Sequence, residues 1–377
     1  MIKKNQIKPE PTRHLNAVLT IDLNAIVDNW IFLNKLVSPL SRCAAVVKAN
    51  AYGLGVTYVA SALYTAGCRC FIVANLDEAL ELRSILSKAT IFVLTGPFSR
   101  NEKEFCVANI IPVLNSLEQI ANWRSTARLF ERPLPSVIHV DTGMSYLGLR
   151  ANEIKFLSED NETITAIKPI LLMSHLACAD DPTHHLNKKQ LETFRAIRSL
   201  FPNVLGSLAA SSGIFLGSEW HADLCRPGAA LYGIQKHNTN SKPMNPVVQL
   251  DGKIIQIHDI DVGESVGYGA TYTAKNPGKL AIVAVGYADG LFRSMENRGY
   301  GYFKEYKVPL VGRVSMDLTA FDITDLPHGI AKPGTTINLI GPNNSVNDLG
   351  QTAGTIGYEI LTSLGYRYNR RYINESL

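Results

Sequence analysis

The chain has 377 residues, of which 46% are hydrophobic and 19% charged, a profile typical of a folded globular protein with a substantial core. Its net charge of +4 is small for this length and gives no electrostatic argument for nucleic-acid binding. No apolar run approaches the roughly 20 residues that span a bilayer, and the basic N-terminal segment lacks the apolar stretch of a signal peptide. The length favours two domains, or one large barrel with an appendage.

The cysteines indicate a reducing environment. None of the six belongs to a CxxC pair, and the closest two are separated by a single residue, which is too short for a zinc knuckle. Some lie in or beside apolar stretches, as small core residues do. We therefore expect reduced thiols, no metal site and a cytoplasmic protein. The six are Cys43, Cys68, Cys70, Cys106, Cys178 and Cys225.

From residue 44 onward, short apolar runs alternate with amphipathic segments. The apolar runs predict strands at residues 44–49, 70–75, 90–95, 109–114, 136–141, 169–174, 204–209 and 222–227. The amphipathic segments predict helices between them, including residues 77–86, 116–123 and 188–200. Eight strands with helical crossovers favour an α/β fold in which a (β/α)8 TIM-type barrel occupies residues 16–235. Because the eighth strand has the weakest pattern, a doubly wound sheet remains the alternative.

The composition and pattern of the sequence change after Gly233. Residues 236–245 are polar and contain a proline, which suits a linker between domains. Alternating β-rich runs with frequent glycine follow, and they predict a mainly antiparallel second domain over residues 236–377, which we expect residues 1–15 to join. The β-rich runs are residues 247–260, 279–290 and 335–341, and residues 355–364 predict a helix.

Lys48 is the first candidate for chemistry. Val46 and Val47 close an apolar strand, and Lys48 follows them directly, before a glycine-rich turn. At such a position desolvation would lower the pKa of the lysine amine and make it a usable nucleophile. Schiff-base chemistry with a carbonyl compound, pyridoxal phosphate above all, needs such an amine. Position alone favours the alternative, a lysine that extends its amine from a strand end into solvent.

Further polar residues fall at the ends of the later strands. Asp141 follows the fifth strand and His175 the sixth. Ser211 follows the seventh, and Arg226 lies in the eighth. In a barrel the carboxyl ends of all strands share one face, and the loops after the last two often bind phosphate. Because pyridoxal phosphate needs a lysine at one end and a phosphate site at the other, the set as a whole favours Lys48 as a cofactor lysine.

Each of these residues also has a structural interpretation when taken singly. The Ser211 segment is a frequent turn or helix cap, His175 could be a hydrogen-bonded core histidine, and Arg226 could pair with a surface carboxylate. Tyr268 stands between two glycines, but in a chain with 15 tyrosines a single tyrosine is more often a packing residue.

An ordered set of motifs resembles the alanine racemases, which are fold-type III pyridoxal phosphate enzymes. The resemblance covers residues 21–372 and predicts the same barrel and β domain. Its motifs are AVVKANAYGLG (45–55), DTGM (141–144), SHLACADD (174–181), RPGAALYG (226–233), SVGYGATYTA (265–274), GYADG (286–290), RVSMD (313–317) and TIGYEIL (355–361). The first motif is highly specific, and the order of the whole set makes coincidence very improbable.

The resemblance implies a role for each matching residue. Lys48 corresponds to the lysine that binds the cofactor covalently and acts as base on one face of the substrate Cα. Tyr268 corresponds to the base on the opposite face, which the second domain of the partner subunit supplies in a head-to-tail homodimer. The implied cofactor contacts are Tyr52, Ser211 and Tyr358 at the phosphate, the backbone of Gly228 and Ala229 there, His175 beside the ring and Arg226 at the pyridine nitrogen. The implied substrate contacts are Met316 through its backbone N–H, Tyr287 at the entrance and Tyr146.

Two positions depart from the family pattern. His139 stands where the family usually has a carbamylated lysine, and Tyr146 stands where it has an arginine that contacts the substrate carboxylate. The absence of both the carbamylated lysine and the arginine is physically reasonable, because either group alone would leave a buried charge without its partner. We expect weaker carboxylate binding and altered cofactor electronics unless Arg150 or another cation takes over.

The resemblance implies an isomerase that interconverts L-alanine and D-alanine and supplies D-alanine for peptidoglycan. Three alternatives stay open at this point. The chain could be a cofactor-binding paralogue with weak or no racemase activity, or a racemase with a broader range of amino acids. It could also be a decarboxylase of the same fold type, although Ser315 stands where those relatives present a cysteine.

Overall fold

The computed structural model describes residues 16–98, 100–234 and 243–373, which form two compact units. The first unit comprises Leu23–Asn245, and the second combines residues 16–22 with the chain from Pro246 onward. Most of the predicted linker, and residues 1–15, lie outside the described residues.

The strands and helices follow the chain in this order. The strands are β1 Ala17–Asp22, β2 Arg42–Cys43, β3 Ala45–Val46, β4 Cys70–Val73, β5 Thr90–Val93, β6 Ile111–Leu114, β7 Ser136–His139, β8 Pro169–Met173, β9 Leu205–Ser207, β10 Leu224–Cys225, β11 Val248–Ile260, β12 Ser265–Val266, β13 Tyr272–Thr273, β14 Gly278–Val283, β15 Tyr300–Phe303, β16 Tyr306–Val311, β17 Thr319–Asp322, β18 Thr336–Ile340 and β19 Asn369–Ile373. The α-helices are α1 Leu23–Val37, α2 Lys48–Tyr52, α3 Val56–Thr65, α4 Leu76–Ile85, α5 Glu102–Val107, α6 Leu117–Leu129, α7 Ala151–Glu159, α8 Asn161–Ile167, α9 His185–Arg198, α10 Ser211–Ile214, α11 Val346–Ala353 and α12 Gly357–Ser363.

The first unit is built on parallel strands that alternate with helices. Strands β3 to β9 form one seven-stranded sheet in chain order, and every pair within it is parallel. These strands are short runs of buried apolar residues, as expected for a parallel sheet covered on both faces. The helices begin where the sequence supplies caps: the Asn75 side chain accepts from the Glu78 N–H at the start of α4, and Ser116 does the same for Gln119 at α6.

The eighth strand, β10, closes this sheet into a barrel. On one side the Arg226 N–H donates to the Ala209 carbonyl, and on the other β10 pairs in parallel with β2. The Val46 N–H donates to the Pro227 carbonyl, so the first and last strands meet. The eight predicted strands are confirmed with shorter bounds, and closure rules out the doubly wound alternative.

The second unit is a mainly antiparallel barrel organised around the long strand β11. Its first half pairs with β1 and β18, and after a register shift between Ile254 and Gln256 its second half pairs with β14. The ring then continues through β17, β16, β15 and β18. Gly252 lets β11 lie close against the Val283 side chain, because a Cβ at this position would be 2.6 Å from it.

Strand β1 corrects the predicted domain boundary at residue 16. Residues Ala17–Asp22 pair with β11 on one side and with β19 on the other, so they belong to the second unit rather than to the barrel. Their alternating burial suits a β-barrel wall with one face against the core.

Among the described residues, no helix has both the length and the apolar character needed to cross a membrane.

Candidate active site

Lys48 lies at the carboxyl end of the first barrel strand, at the start of an unusual turn. The strand ends at Val46 rather than at residue 49, and residues 49–52 all have φ of 53° or 54°, in the left-handed region. Each such non-glycine residue costs about 1–2 kcal/mol. Two side chains support the turn. The Glu78 carboxylate accepts from the Ala49 N–H at 2.7 Å, and the Asn50 carboxamide oxygen accepts from the Val56 N–H at 2.7 Å. Lys48 is therefore held, half-buried, at the mouth of the barrel.

Ser211 and the segment after β10 form a small cradle of hydrogen-bond donors. The Ser211 hydroxyl oxygen accepts from the backbone N–H groups of Gly228 at 3.0 Å and Ala230 at 3.1 Å. Since the oxygen accepts both bonds, the hydroxyl proton remains available to a ligand. Within the described part of the chain, no acceptor pairs with the Ala229 N–H. Hydroxyl and backbone N–H donors of this kind suit a phosphate group.

Tyr52 lies against the same cradle. A Cβ on Gly228 would meet the Tyr52 hydroxyl oxygen at 2.4 Å, so only glycine fits there without displacing the tyrosine. The Tyr52 ring packs on Tyr232 with ring centroids 4.6 Å apart, and the Tyr232 hydroxyl donates to the Val46 carbonyl at 3.0 Å. The left-handed turn after Lys48 thus delivers the Tyr52 hydroxyl to the donors of the last barrel strand.

Arg226 is buried in the centre of the barrel mouth. It is 4% exposed, and its guanidinium donates to the Ser207 hydroxyl and the Ser174 carbonyl, each at 2.6 Å. None of the ion pairs of the described residues involves it, so the interpretation as a surface ion pair is wrong. Burial lowers its pKa to about 10, and the group therefore still carries its charge at neutral pH.

Two neutral histidines flank this arginine. His175 Nδ1 lies 3.2 Å from the Arg226 guanidinium and accepts from it, which places the histidine proton on Nε2. Although part of the His175 side chain is exposed, desolvation of its ring and the charges of Arg226 and Lys48 lower its pKa to about 3. Desolvation and the Arg226 charge likewise lower the pKa of His139 to about 4. The His139 ring is fixed by its Nδ1–H, which donates to the Asn115 side-chain oxygen at 2.7 Å.

The DTGM motif forms a loop closed by its own aspartate. The Asp141 carboxylate accepts from the backbone N–H groups of the three residues at 143–145, at 2.9 to 3.0 Å. Burial acts to raise the pKa of Asp141, but these donors and Arg150 outweigh it and hold the pKa below its usual value. Tyr146 is 83% exposed on this loop, and its role in substrate binding stays a prediction, as does a substitute role for Arg150.

Gln190 is a supporting residue that the sequence did not reveal. It is fully buried on α9, and its side-chain nitrogen donates to the Thr142 hydroxyl at 3.1 Å and the His175 carbonyl at 2.8 Å. Its oxygen accepts from the Ala177 N–H at 2.9 Å. The helix pattern around it marks a buried face, but only the three-dimensional structure connects that face to the DTGM and SHLACADD motifs.

The second unit carries the remaining predicted residues. Tyr268 is 72% exposed, in a 3-10 turn where the Arg313 guanidinium approaches the neighbouring Gly269. Tyr287 and Met316 lie on two loops that hydrogen-bond to each other, and both side chains are exposed. The Met316 N–H has no acceptor within the described residues. Tyr358 lies in α12.

The barrel therefore brings together Lys48, Tyr52, His175, Ser211, Arg226, Gly228 and Ala229, whereas Tyr146, Tyr268, Tyr287, Met316 and Tyr358 lie outside that cluster or in the other unit. A lysine, a buried arginine and several N–H and O–H groups gathered at the carboxyl ends of parallel strands are typical of the active site of a barrel enzyme. The family models for the alanine racemase N-terminal and C-terminal domains match residues 21–236 and 247–372. The chain belongs to the alanine racemase family, and it is accordingly an isomerase.

Individual relatives are similar over nearly the whole chain. The alanine racemase of Rhodospirillum rubrum is 50% identical over 357 residues, which cover 94% of this chain and 96% of the relative. The catabolic alanine racemase of Agrobacterium fabrum is 47% identical, over 95% of this chain and 92% of the relative.

Solved structures show the same similarity. A crystal structure of alanine racemase from Bartonella henselae with covalently bound pyridoxal phosphate has a TM-score of 0.92 and 41% identity, covering 95% of this chain and 99% of that one. The biosynthetic alanine racemase of Pseudomonas aeruginosa has a TM-score of 0.87 and 33% identity, over 96% of this chain and 100% of that one.

Proposed function

We propose that this protein interconverts L-alanine and D-alanine with pyridoxal phosphate as its cofactor. The convergence of Lys48, Arg226 and the Ser211 cradle at one end of the barrel carries the proposal. The residues present fit the cofactor at both ends: Lys48 supplies an amine for its carbonyl, and Ser211, Tyr52 and the Ala229 N–H supply donors for its phosphate. The covalent cofactor of the Bartonella henselae relative supports this assignment.

Arg226 determines how the cofactor ring would be held. When bound, pyridoxal phosphate withdraws electron density from the Cα of an attached amino acid, which makes the Cα proton acidic. Arg226 stays protonated and offers only N–H donors, so it would hold the pyridine nitrogen by a hydrogen bond without giving it a proton. Ser207, Ser174 and His175 fix the plane of its guanidinium. A pyridine nitrogen without a proton would withdraw electrons less strongly, which suits an enzyme that must return a proton to the same carbon.

Racemisation needs one group to remove the Cα proton and another to return a proton from the opposite side. We assign the first face to Lys48 and the second to the partner subunit's Tyr268. Two bases on opposite faces invert the carbon without rotation of the substrate. A phenol in water titrates near pH 10, so a tyrosine that acts as a base at neutral pH gains from a nearby cation. The approach of Arg313 to Gly269 supports such an environment.

The partner subunit completes the proposed site. The second unit exposes the side chains of Tyr268, Tyr287 and Met316. Residues that complete the active site of a neighbouring subunit would be exposed in this way when one chain is considered alone. The Met316 N–H is a free donor for the substrate carboxylate, and Tyr287 would line the entrance. Tyr358 is assigned to the cofactor phosphate. The assembly is a homodimer with active sites shared between its subunits.

In the cell, the proposed role is to supply D-alanine for peptidoglycan. The proposed location is the cytoplasm, which is consistent with six free cysteines, three of them buried.

The experiment is racemisation of L-alanine in D₂O by purified protein, with and without added pyridoxal phosphate. We expect cofactor-dependent D-alanine that carries deuterium at Cα. Lys48→Met should abolish turnover, and Lys88→Met, at an exposed position of the same unit, should leave it unchanged. Bound cofactor without any exchange at Cα would instead indicate a cofactor-binding paralogue.

Mixing two inactive variants tests the shared site. In a 1:1 mixture of Lys48→Met and Tyr268→Phe, half of the dimers are hybrids, and each hybrid has one intact site of two. We therefore expect recovery of about one quarter of wild-type activity. An inactive mixture whose subunits demonstrably exchange would contradict the shared site.

A further inference from the structure

Arg367 holds two acidic residues of the second unit at once. Its Nε and one terminal nitrogen bind the two carboxylate oxygens of Asp289 at 2.6 Å and 2.8 Å. The other terminal nitrogen binds the Asp317 carboxylate at 2.7 Å. The fork-shaped pairing with Asp289 fixes the guanidinium plane, and Asp289 is only 5% exposed. The resulting clamp has one buried arm, at Asp289, and one surface arm, at Asp317, whose side chain is 58% exposed.

The clamp joins the GYADG and RVSMD loops. The Asp289 carboxylate also accepts from the Gly286 N–H at 2.9 Å, so the turn that contains Tyr287 is closed by the same carboxylate that binds Arg367. Asp317 follows Met316 directly in the other loop. Arg367 thus contacts one acidic residue from each of the two loops.

The backbones of the two loops are also in direct contact. The Tyr287 N–H donates to the Ser315 carbonyl at 2.9 Å, and the Ala288 N–H donates to the Met316 carbonyl at 3.0 Å. A Cβ on Gly286 would lie 2.3 Å from the Met316 carbonyl oxygen. At this spacing, a shift of one loop moves the Met316 amide relative to Tyr287.

We propose that Arg367 is a positioning residue for the substrate carboxylate: it fixes the Met316 N–H and Tyr287 in relation to each other. It also balances two carboxylates beside the amide that must receive an anion. Without the guanidinium, Asp289 and Asp317 would leave uncompensated negative charge near that amide and oppose carboxylate binding. The inference rests on the proposed function, because Met316 and Tyr287 take their roles from it.

The test compares Arg367→Met with Arg367→Lys and with the control Arg371→Met, an exposed arginine nearby in the same segment. Misplacement of a binding group by about 1 Å can cost about a hundredfold. We therefore expect the KM for L-alanine to rise by about tenfold or more in Arg367→Met, with kcat within about threefold of wild type. The KM of Arg367→Lys should lie between those of Arg367→Met and the control, because lysine keeps the positive charge but lacks the forked pair of N–H donors.

The absorbance spectrum of the bound cofactor should be unchanged in all three variants. The thermal melt should fall in Arg367→Met, because the buried Asp289 carboxylate loses its forked partner, so KM is measured well below the melt of each variant. An Arg367→Met enzyme whose KM matches that of Arg371→Met would overturn the inference. If Arg367→Met does not fold, Arg367→Lys decides, and a wild-type KM in that variant would refute the positioning role. Wild-type protein in the same assay tests the proposed function separately: without racemisation of alanine by the wild type, both proposals fail.

Discussion

Replacing Gly228 by alanine tests the proposed phosphate cradle, because the added methyl group has a defined neighbour. The new Cβ would lie 2.4 Å from the Tyr52 hydroxyl oxygen, about 1 Å inside the 3.4 Å at which ordinary contact begins. The tyrosine cannot move away freely, since its ring packs on the buried Tyr232. The substitution should therefore displace the Tyr52 hydroxyl from the cradle.

The expected magnitude follows from that displacement. A hydrogen bond to a charged group contributes about 1.5–3 kcal/mol, so loss of the Tyr52 bond to the phosphate should weaken cofactor binding about ten- to hundredfold. Tyr52→Phe alone should cause a loss in the same range. In the Tyr52→Phe background the nearest remaining contacts of the new methyl group are the ring carbon at 3.2 Å and Val46 Cβ at 3.3 Å, and both need to yield by only a few tenths of an ångström. Gly228→Ala should then cost about threefold or less.

The assay is a spectroscopic titration of the dissociation constant of pyridoxal phosphate for the wild type, both single variants and the double variant. Gly206→Ala serves as control, because the atoms nearest to its methyl group belong to the Arg198 side chain at 3.3 Å and not to the cradle. Equal losses from Gly228→Ala in the wild-type and Tyr52→Phe backgrounds would refute the reasoning.

Two further predictions concern the supporting residues. Gln190→Leu removes the bonds that Gln190 makes to the part-buried His175 carbonyl and Ala177 N–H, and one of two side-chain bonds of the buried Thr142 hydroxyl, and should lower the free energy of unfolding by about 2–4 kcal/mol in urea titrations. Glu192→Gln, on the exposed side of α9, should have no measurable effect, and a loss below about 1 kcal/mol in Gln190→Leu would contradict the prediction. The pKa values of His139 and His175 are lowered to about 4 and about 3, so below pH 6.5 the unfolded chain binds more protons than the folded chain does. The free energy of unfolding should therefore fall as the pH drops from about 6.5 to about 4, and it should fall less steeply in His139→Gln. Urea titrations at several pH values measure this slope. An equal slope in the wild type and the variant would argue against a lowered His139 pKa.

Local pattern was enough to predict the barrel, because its strands are contiguous apolar runs between amphipathic helices. It was not enough for β1, which the prediction placed in the barrel domain with its neighbours in the sequence. The partner of Ala17 is Gly252, on a strand far along the chain, and such a pairing leaves no trace in a local window. The strand Leu224–Cys225 had the weakest sequence pattern of the eight, and its role in closing the barrel shows only in its partners on both sides.

The sequence was enough to predict those site residues whose location follows directly from the order of strands in the barrel. Lys48 and Ser211 follow strands, and the carboxyl ends of parallel strands share one face. Gln190 and Arg367 were not predictable, because a glutamine on a helix and an arginine near the end of the chain are ordinary residues until their partners are known. The environment of Arg226 was also hidden, since the sequence could not distinguish a buried guanidinium from a surface one.

The left-handed turn at residues 49–52 bears on the order in which the protein is built. Four residues at about 1–2 kcal/mol each cost on the order of 4–8 kcal/mol, comparable to the net stability of a domain, about 5–15 kcal/mol. Ala49 and Ala51 would favour an ordinary right-handed helix in an isolated peptide. Contacts from other elements, such as Glu78 on α4, compensate for this cost only in the assembled structure. We therefore expect Lys48 to reach its working position only once α4 has packed against the turn, so that a half-formed barrel would not yet present the amine to a cofactor.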